Sequence, residues 1–145
     1  MAGSKPQRIV VGVDGSEESL EALRWAVEYA RNVGGSLTAV KTWHYPWAMQ
    51  TAPAQVDSNT TDQTRQELDD AFAKSGVDTE GVEVERRALE GHPSLVLLKE
   101  SASADLLVVG SRGHSAFTGM LLGSVSNQLV NSAECPVVVV RLRKS

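Results

Sequence analysis

Strand and helix signals alternate along this chain, and that order restricts the fold more than any other feature. Short apolar runs rich in β-branched residues, typical of strands, occur at Arg8–Val13, Ser36–Trp43, Val82–Leu89, Asp105–Gly110 and Pro136–Val140. Four stretches with apolar residues at helical spacing separate them: they follow Ser16, extend from about Thr60 to Ser75, follow Pro93, and extend from Ser124 to about Ala133. This alternation predicts an α/β fold in which helices cover both faces of an open five-stranded parallel sheet.

The strands differ in pattern, which predicts their places in the sheet. Arg8–Val13 and Asp105–Gly110 are apolar without interruption and should be central, whereas Val82–Leu89 alternates apolar and charged residues and should lie at an edge. No repeat, low-complexity tract or second domain is visible in the sequence. We therefore expect residues 1–145 to form a single domain with flexible termini at 1–7 and 142–145.

Charge and composition exclude several classes of function. The chain has 145 residues and a formal net charge of -4, so it lacks the excess of cations with which proteins replace phosphate counterions on nucleic acids. No segment approaches the roughly 18 apolar residues of a membrane span, and Met1–Arg8 has no apolar core of a signal peptide. The single cysteine, Cys135, cannot form an intramolecular disulfide and is interpreted as a small buried filler. We expect a cytoplasmic protein.

A glycine-rich loop between the fourth strand and the last helix is the main candidate for chemistry. Gly110, Gly113 and Gly123 give the spacing G-x-x-G-x9-G, with Ser124 next. Glycine lets backbone N–H groups approach a phosphate closely, and a helix that opens at Gly123 and Ser124 directs further N–H groups and its dipole at an anion. Ser126, one turn into the helix, can reach the same region. This loop predicts an anion site at a sheet edge where α/β proteins bind ligands.

The same glycine spacing fits a plain connection between a strand and a helix. The chain has 12 glycines, and glycines that serve only the turns of such a connection account for the pattern as well. The P-loop pattern G-x-x-x-x-G-K-[ST] is absent, and the turn after the first strand, Gly12–Ser16, lacks the G-x-G-x-x-G of dinucleotide folds. A response regulator is rejected as well, because no lysine follows the last strand in the expected context.

Several segments in order resemble the universal stress protein family. They are V-x-V-D-G-S at Val11–Ser16, A-D-L-L-V-V-G-S at Ala104–Ser111, L-L-G-S-V-S at Leu121–Ser126 and C-P-V-V-V-V at Cys135–Val140, together with the G-x-x-G-x9-G-[ST] spacing. The resemblance covers nearly the whole chain. It implies a Rossmann-like fold of the adenine nucleotide alpha hydrolase type, with strand order 3-2-1-4-5 and ATP across the carboxyl ends of the first and fourth strands.

The resemblance also implies a set of nucleotide contacts. Adenine and ribose would lie against Gly12, Val13 and Asp14, with Thr42 or its neighbour Val40 beside the adenine; Val109 and Gly110 would meet the ribose, Gly113, Gly123, Ser124 and Val125 the phosphates, and Ser126 stands where the family often has a hydroxyl residue. Mg²⁺ would be carried on the phosphates. Lys41 departs from the family, which commonly has histidine there. A turn and helix-cap residue is the alternative interpretation of Asp14, but its position after a central strand, facing the glycine loop, favours the ligand contact.

A few further polar and aromatic residues are candidates for this site. Arg112 is a candidate phosphate partner, although an exposed loop arginine explains it as well. His44, His92 and His114 are interpreted as scattered and show no metal-ligand spacing. The aromatic residues Trp43, Tyr45 and Trp47, at the end of the second strand and in the long connection after it, are expected to cover the pocket edge or core, with stacking on adenine or contact with a partner as the alternatives.

The last strand and the lack of a visible base bear on assembly and activity. The run Val137–Val140 is very apolar for a terminal edge strand, and the resemblance implies a homodimer through it. Hydrolysis needs a positioned base, and no convincing base is visible in the sequence. We therefore expect an ATP-binding regulator or sensor in stress response; slow ATP hydrolysis, AMP or cyclic AMP binding and a nucleotide-free interaction module remain alternatives.

Overall fold

The computed structural model describes residues 6–44, 58–112 and 122–142. Within these ranges every predicted strand and helix is confirmed. In chain order they are β1 Arg8–Gly12, α1 Glu17–Val33, β2 Ser36–Trp43, α2 Ser58–Ser75, β3 Glu83–Glu90, α3 Pro93–Ser101, β4 Leu106–Gly110, α4 Ser124–Ser132 and β5 Val137–Val140. No helix within the described ranges has both the length and the apolar character that crossing a bilayer requires.

The five strands form one sheet in the order β3-β2-β1-β4-β5, and all four neighbouring pairs are parallel. This confirms the predicted order, with β1 in the centre, β4 beside it and β3 at an edge. The chain builds the sheet outward from β1 to β3 and then crosses to β4. The strand order therefore reverses between β1 and β4, which is where open α/β sheets bind ligands.

Two apolar layers cover the sheet, because alternate residues of a buried strand face opposite sides. Ile9 and Val11 of β1 belong to the layer under α1 and α2, whereas Val10 belongs to the layer under α3 and α4, together with Leu97 and Leu129. All three β1 side chains are fully buried. Burying each such side chain contributes about 1.5–3 kcal/mol, which explains why an uninterrupted apolar run marks a central strand.

Helix α1 begins and ends at residues suited to its termini. The Ser16 hydroxyl accepts a hydrogen bond from the Ser19 N–H at 3.2 Å, and Glu17 and Glu18 lie in the positive first turn. Gly34 ends the helix in the left-handed conformation, with φ 66°. The N-terminus of α1 is thereby fixed beside the carboxyl ends of β1 and β4.

Gln7, the last residue of the predicted flexible terminus 1–7, makes contacts with the start of β2 and with α1. The Gln7 carbonyl accepts a hydrogen bond from the Ser36 N–H at 2.9 Å, and the Gln7 side chain accepts one from the Tyr29 hydroxyl at 3.2 Å. A Cβ on Gly35 would lie 2.7 Å from the Gln7 carbonyl oxygen, so the chain packs tightly here. These contacts hold Gln7 against the start of β2.

Strand lengths shape the carboxyl edge of the sheet. Gly12, the last residue of β1, pairs with Val40 of β2. The next three residues of β2, ending at Trp43, pair only with β3, whose last partner is Glu90. At about 3.3 Å a residue, β2 and β3 extend roughly 10 Å beyond β1. They form a wall beside the ends of β1 and β4.

Candidate functional site

Two glycines end the central strands and form the floor of the candidate site. A Cβ on Gly12 would lie 2.8 Å from Leu97 Cδ1 of α3, and a Cβ on Gly110 would lie 2.7 Å from the Glu18 backbone carbon of α1. Both helices therefore pack against the strand ends more closely than any side chain allows. The structure explains these glycines by helix packing, while the nucleotide contacts predicted for them remain predictions.

The turn after β1 is organised by Asp14. One carboxylate oxygen accepts hydrogen bonds from the Ser16 N–H at 2.9 Å and the Ser16 hydroxyl at 2.5 Å, and Gly15 adopts φ 87°. The Asp14 N–H donates to the Ser19 hydroxyl at 3.3 Å. Asp14 thus serves the turn, as the simpler interpretation predicted, and its half-exposed side chain also stands at the ligand edge. The two interpretations are compatible.

The side chains beside Asp14 divide between core and site. The Val13 side chain is 4% exposed and its N–H donates to the Val40 carbonyl at 2.9 Å, so this residue can meet a ligand only through its backbone. Val40 is 1% exposed and packs under α3. Thr42, two residues further along the same face of β2, is half-buried and lies beyond the end of β1. Of the two residues predicted beside adenine, Thr42 is the one whose side chain the fold leaves at the edge.

The opposite wall begins where α4 meets the end of β4. The Ser111 carbonyl accepts a hydrogen bond from the Gly123 N–H at 2.6 Å and another from the Ser126 hydroxyl at 2.8 Å. The Ser111 N–H donates to the Val140 carbonyl of β5 at 2.8 Å. We call Ser111, Gly123 and Ser126 the Ser111 clamp, because they join the two ends of the glycine-rich loop. Residues 113–121 of this loop, with the predicted phosphate contact Gly113 and with His114, lie outside the described residues.

The clamp decides which groups of α4 face a ligand. Ser126 is 3% exposed and its hydroxyl is used in the clamp, so its predicted ligand contact falls to its backbone. Gly123 is the N-cap and has no side chain to cap the helix, so within the described part of the chain the first N–H groups of α4, at Ser124 and Val125, have neither an intrahelical acceptor nor a capping side chain. The N–H groups and the positive end of the helix dipole make this terminus suited to an anion.

Arg112 lies directly after the end of β4 and pairs with α1. Its Nε lies 3.2 Å from an oxygen of Glu18, and the two side chains are 34% and 12% exposed. A guanidinium has five N–H donors, so the pairing of Nε with Glu18 is compatible with a second acceptor on the other nitrogens. The predicted phosphate partner thus has a carboxylate neighbour that the sequence did not reveal.

The structure brings together two histidines that are far apart in the sequence, and for this pair the interpretation as scattered residues is wrong. His44 follows β2 and His92 follows β3, and their ring centroids lie 5.8 Å apart. We call them the histidine pair. The usable signal was that each histidine comes one or two residues after the end of a strand, and parallel neighbours end at the same edge. Among the described residues no group of three or more His, Cys, Asp or Glu side chains could hold a metal ion.

The cysteine lies at the opposite edge of the sheet, just before β5. Cys135 is half-buried and packs under α4, so it is less buried than expected from the sequence. Burial raises the pKa of its thiol above the ordinary value of 9.0, and the negative charge of Asp105 raises the pKa further. Since the thiolate is the nucleophilic form, these surroundings disfavour reactivity at neutral pH.

Comparisons with known proteins give one family. The sequence profile of the universal stress protein family matches residues 5–141. A universal stress protein of Mycolicibacterium smegmatis is 37% identical over 139 residues, which are 93% of this chain and 46% of that protein. The chain spans about half the length of several curated relatives that it matches.

Solved structures agree in fold. A universal stress protein in complex with cAMP is 29% identical, with a TM-score of 0.65 over 97% of this chain and 100% of that one. The universal stress protein UspA from Lactobacillus plantarum is 22% identical, with a TM-score of 0.75 over 96% of this chain and 100% of that one. Since the family profile spans nearly all of its length and the solved structures share its fold, the chain belongs to the universal stress protein family.

Proposed function

We propose that this protein binds an adenine nucleotide, in the first place ATP, at the carboxyl edge of β1 and β4, and acts as a nucleotide-dependent regulator or sensor in stress response. The observation that carries the proposal is the N-terminus of α4, which has no side-chain cap and is joined to the end of β4 by the Ser111 clamp. Its N–H groups meet the requirement of a phosphate for several converging donors.

The shape of the edge supports a ligand with two different ends. The wall formed by β2 and β3 stands on one side of the β1 terminus, and α4 begins on the other side, beyond β4. With neighbouring strands about 4.8 Å apart, β2 and β4 are separated by about 10 Å, which is on the order of the span of a nucleotide from base to phosphate. The base then lies toward Thr42 and the phosphates toward Ser124.

The proposed contacts follow from this orientation. The backbones of Gly12 and Val13, with Asp14 and Thr42, would hold the base and ribose. The carboxyl end of β4, the loop after it and the start of α4 would hold the ribose and phosphates. The residues are Val109, Gly110, Gly113, Gly123, Ser124 and Val125. Arg112 would share its charge between Glu18 and a phosphate, and Mg²⁺ would arrive on the phosphates of ATP.

The relative solved with cAMP shows that a universal stress protein of 29% identity accommodates an adenine nucleotide. For this chain we propose ATP, with cAMP and AMP as the competing ligands of the same site. Binding is preferred over hydrolysis because the carboxylate that follows β1 in the chain, Asp14, is used in holding its own turn. Hydrolysis needs a base that is free to position water.

We also propose a homodimer through β5. This strand forms the edge of the sheet, and all four of its valines are half-exposed. A groove of about 420 Å³ lies beside it, lined in part by Trp25, Val140 and Arg141, and Trp25 stacks on Tyr29 with ring centroids 5.1 Å apart. An apolar edge strand beside the exposed Trp25 suits pairing with a second copy. Light scattering on a sizing column at micromolar protein should give twice the chain mass of 15.5 kDa; a single-chain mass would refute the dimer.

The nucleotide proposal is tested by denaturing the purified protein and identifying released nucleotide by mass spectrometry. The same preparation, after removal of nucleotide, is then titrated with ATP, AMP and cAMP while the melting temperature is followed. A ligand at one hundred times its Kd should stabilise the fold by about 2.7 kcal/mol, which raises the melting temperature by several degrees. Absence of released nucleotide together with unchanged melting temperatures for all three would refute the proposal.

A further inference from the structure

The histidine pair stands at the carboxyl edge on the wall formed by β2 and β3. His44 directly follows β2, and the chain after β3 is joined to the same point, because the Gly91 N–H donates to the Trp43 carbonyl at 2.8 Å. The two rings lie 5.8 Å apart and are tilted by 39°, within the range of attractive aromatic pairs. Both histidines are exposed, so each ring presents surface beyond the contact between the two.

His92 is held in place by the start of α3. It is the N-cap, and its Nδ1 accepts a hydrogen bond from the Ser94 N–H at 3.3 Å and lies 2.9 Å from the Ser94 hydroxyl. Ser94 is only 1% exposed, so the cap is anchored in the core. With Nδ1 as acceptor, the proton of the neutral ring is assigned to Nε2, on the other side of the imidazole. The cap thereby gives His92 a fixed ring with an outward N–H donor.

The position of His92 along the axis of α3 gives its distance beyond Gly12 at the floor of the site. Leu97 of α3 packs over Gly12, the last residue of β1. Helix α3 runs back from the carboxyl edge, and His92 precedes Leu97 by five residues, which corresponds to about 7.5 Å along the helix axis. His92 therefore stands roughly 7.5 Å beyond the end of β1, at the level where a flat ligand resting on Gly12 and Asp14 would meet a side wall.

We infer that His44 and His92 form an aromatic wall that contacts the base of the bound nucleotide and sets its position. This inference rests on the proposed nucleotide binding. A neutral imidazole offers a π-face for stacking, and the Nε2–H of His92 can donate to a ring nitrogen of the base. Phosphates are attracted instead to the N-terminus of α4, on the other side of the boundary between β1 and β4 where the strand order reverses.

A metal ion fits the histidine pair less well. Coordination through Nε2 of His92 would move the ring proton to Nδ1, and the hydrogen bond from the Ser94 N–H to Nδ1 at the start of α3 would then be lost. In the described part of the chain, no third His, Cys, Asp or Glu completes a ligand set with these two. The base is therefore the occupant that the pair suits.

The test uses His92→Asn, His44→Ala and His44→Phe in the full chain. Asparagine is a preferred N-cap, so His92→Asn removes the ring and keeps the start of α3, while His44→Phe keeps an aromatic face. Lys99→Ala, at the exposed far end of α3, is the control. Affinities for adenosine, AMP and ATP are measured by calorimetry, and melting temperatures are recorded for all variants.

Loss of either ring should weaken binding of all three ligands by the same factor, about 5- to 150-fold, as for removal of an aromatic group that stacks on a base. His44→Phe and Lys99→Ala should bind like the parent protein. As a second measurement, adenosine should shift the imidazole proton resonances of His44 and His92 in the unmodified protein, through the ring current of the base.

The outcomes separate the two proposals. If the parent protein binds nucleotides while His44→Ala and His92→Asn bind them equally well and adenosine shifts neither imidazole, the aromatic wall is refuted and nucleotide binding stands. A loss for ATP without a loss for adenosine would place the pair at the phosphates and also overturn the inference. If the parent protein binds none of the three ligands, both proposals fail.

Discussion

The two sides of the candidate site are built differently. On the β2 side, Gly12 meets the flexible end of the Leu97 side chain, and the histidine pair stands on ladder hydrogen bonds and a helix cap. On the α4 side, Gly110 meets the backbone of α1, and the Ser111 clamp joins backbone groups of β4 and α4. At the strand ends themselves, Gly12 is thus packed against a side chain that can adjust, and Gly110 against a main chain that can move only with its helix.

This difference suggests a division of labour in binding. Phosphates require N–H groups at fixed positions, since backbone donors cannot change their direction to suit a ligand. A base is recognised largely by flat apolar contact, which tolerates small shifts of the surrounding side chains. We therefore expect the α4 side to be sensitive to small substitutions in both stability and affinity, and the β2 side to be sensitive mainly in affinity.

The largest expected effect compares the two floor glycines. Gly110→Ala should lower the free energy of unfolding by about 3 kcal/mol, because its Cβ would lie 2.7 Å from the Glu18 backbone, which can move only with α1. Gly12→Ala should cost about 1 kcal/mol, because Leu97 can rotate its Cδ1 away from the contact at 2.8 Å. Urea denaturation of both variants measures the difference. Equal costs would contradict the contrast between main-chain and side-chain support.

The second prediction concerns the Ser111 clamp. Ser126→Ala removes a buried hydroxyl that donates to the Ser111 carbonyl at 2.8 Å, and should lower the free energy of unfolding by about 1–2 kcal/mol. It should also weaken ATP binding by about fivefold, because the ligand must then order the start of α4 itself. Calorimetric titration with ATP measures this second effect.

Ser101→Ala provides a matched control for the clamp. Ser101 is also buried, at 1% exposure, and its hydroxyl donates to a backbone carbonyl, that of Leu98. It lies at the C-terminal end of α3, away from the carboxyl edge. Its loss should reduce stability by a similar amount and leave the ATP affinity unchanged. If both variants lose affinity equally, the clamp has no special part in binding.

The third prediction concerns a substitution that should raise the ATP affinity instead of lowering it. Glu18→Gln removes the carboxylate that pairs with Arg112 and should raise ATP affinity about two- to fivefold, because the guanidinium is released for the phosphates. Arg112→Gln should lower ATP affinity, and more for ATP than for AMP. Glu28→Gln, which breaks the exposed pair with Arg31 on α1, is the control and should change neither affinity. A Glu18→Gln variant that binds ATP more weakly would argue against a shared arginine.

The sequence predicted the strands and helices, but it did not settle which side chain of β2 reaches the site. The strands, helices and their order followed from local patterns, such as the uninterrupted apolar run of β1 and the cap at Ser16, because these patterns act over a few residues. The choice between Val40 and Thr42 depended on where β1 ends against β2. That register is fixed by long-range pairing, which a single sequence does not display.

Partners of individual side chains were the hardest to foresee. Arg112 and Glu18 are far apart in the sequence and meet only because α1 packs over the end of β4. The histidine pair depends in the same way on the β2 and β3 ladder, which brings Trp43 opposite Glu90. Ser126 has the expected residue type, yet the fold directs its hydroxyl to Ser111. The sequence thus indicated which residue types stand near the site, whereas tertiary packing determines the partner of each side chain.

The smallest expected effect lies away from the carboxyl edge and tests whether binding is confined to it. Because burial and then Asp105 raise the pKa of the Cys135 thiol above 9.0, the folded protein should react slowly with iodoacetamide at neutral pH and faster as the pH rises past that value. The protonated thiol is favoured in the fold, so its contribution to stability is present at neutral pH and is lost as the pH rises through the folded pKa.

ATP should leave the alkylation rate unchanged, since Cys135 follows the C-terminal end of α4 and the phosphates are proposed at its N-terminal end. A rate that changes several-fold with ATP at constant pH would mean that α4 moves as a whole on binding, and the main-chain support described above would then be less rigid than its contacts imply.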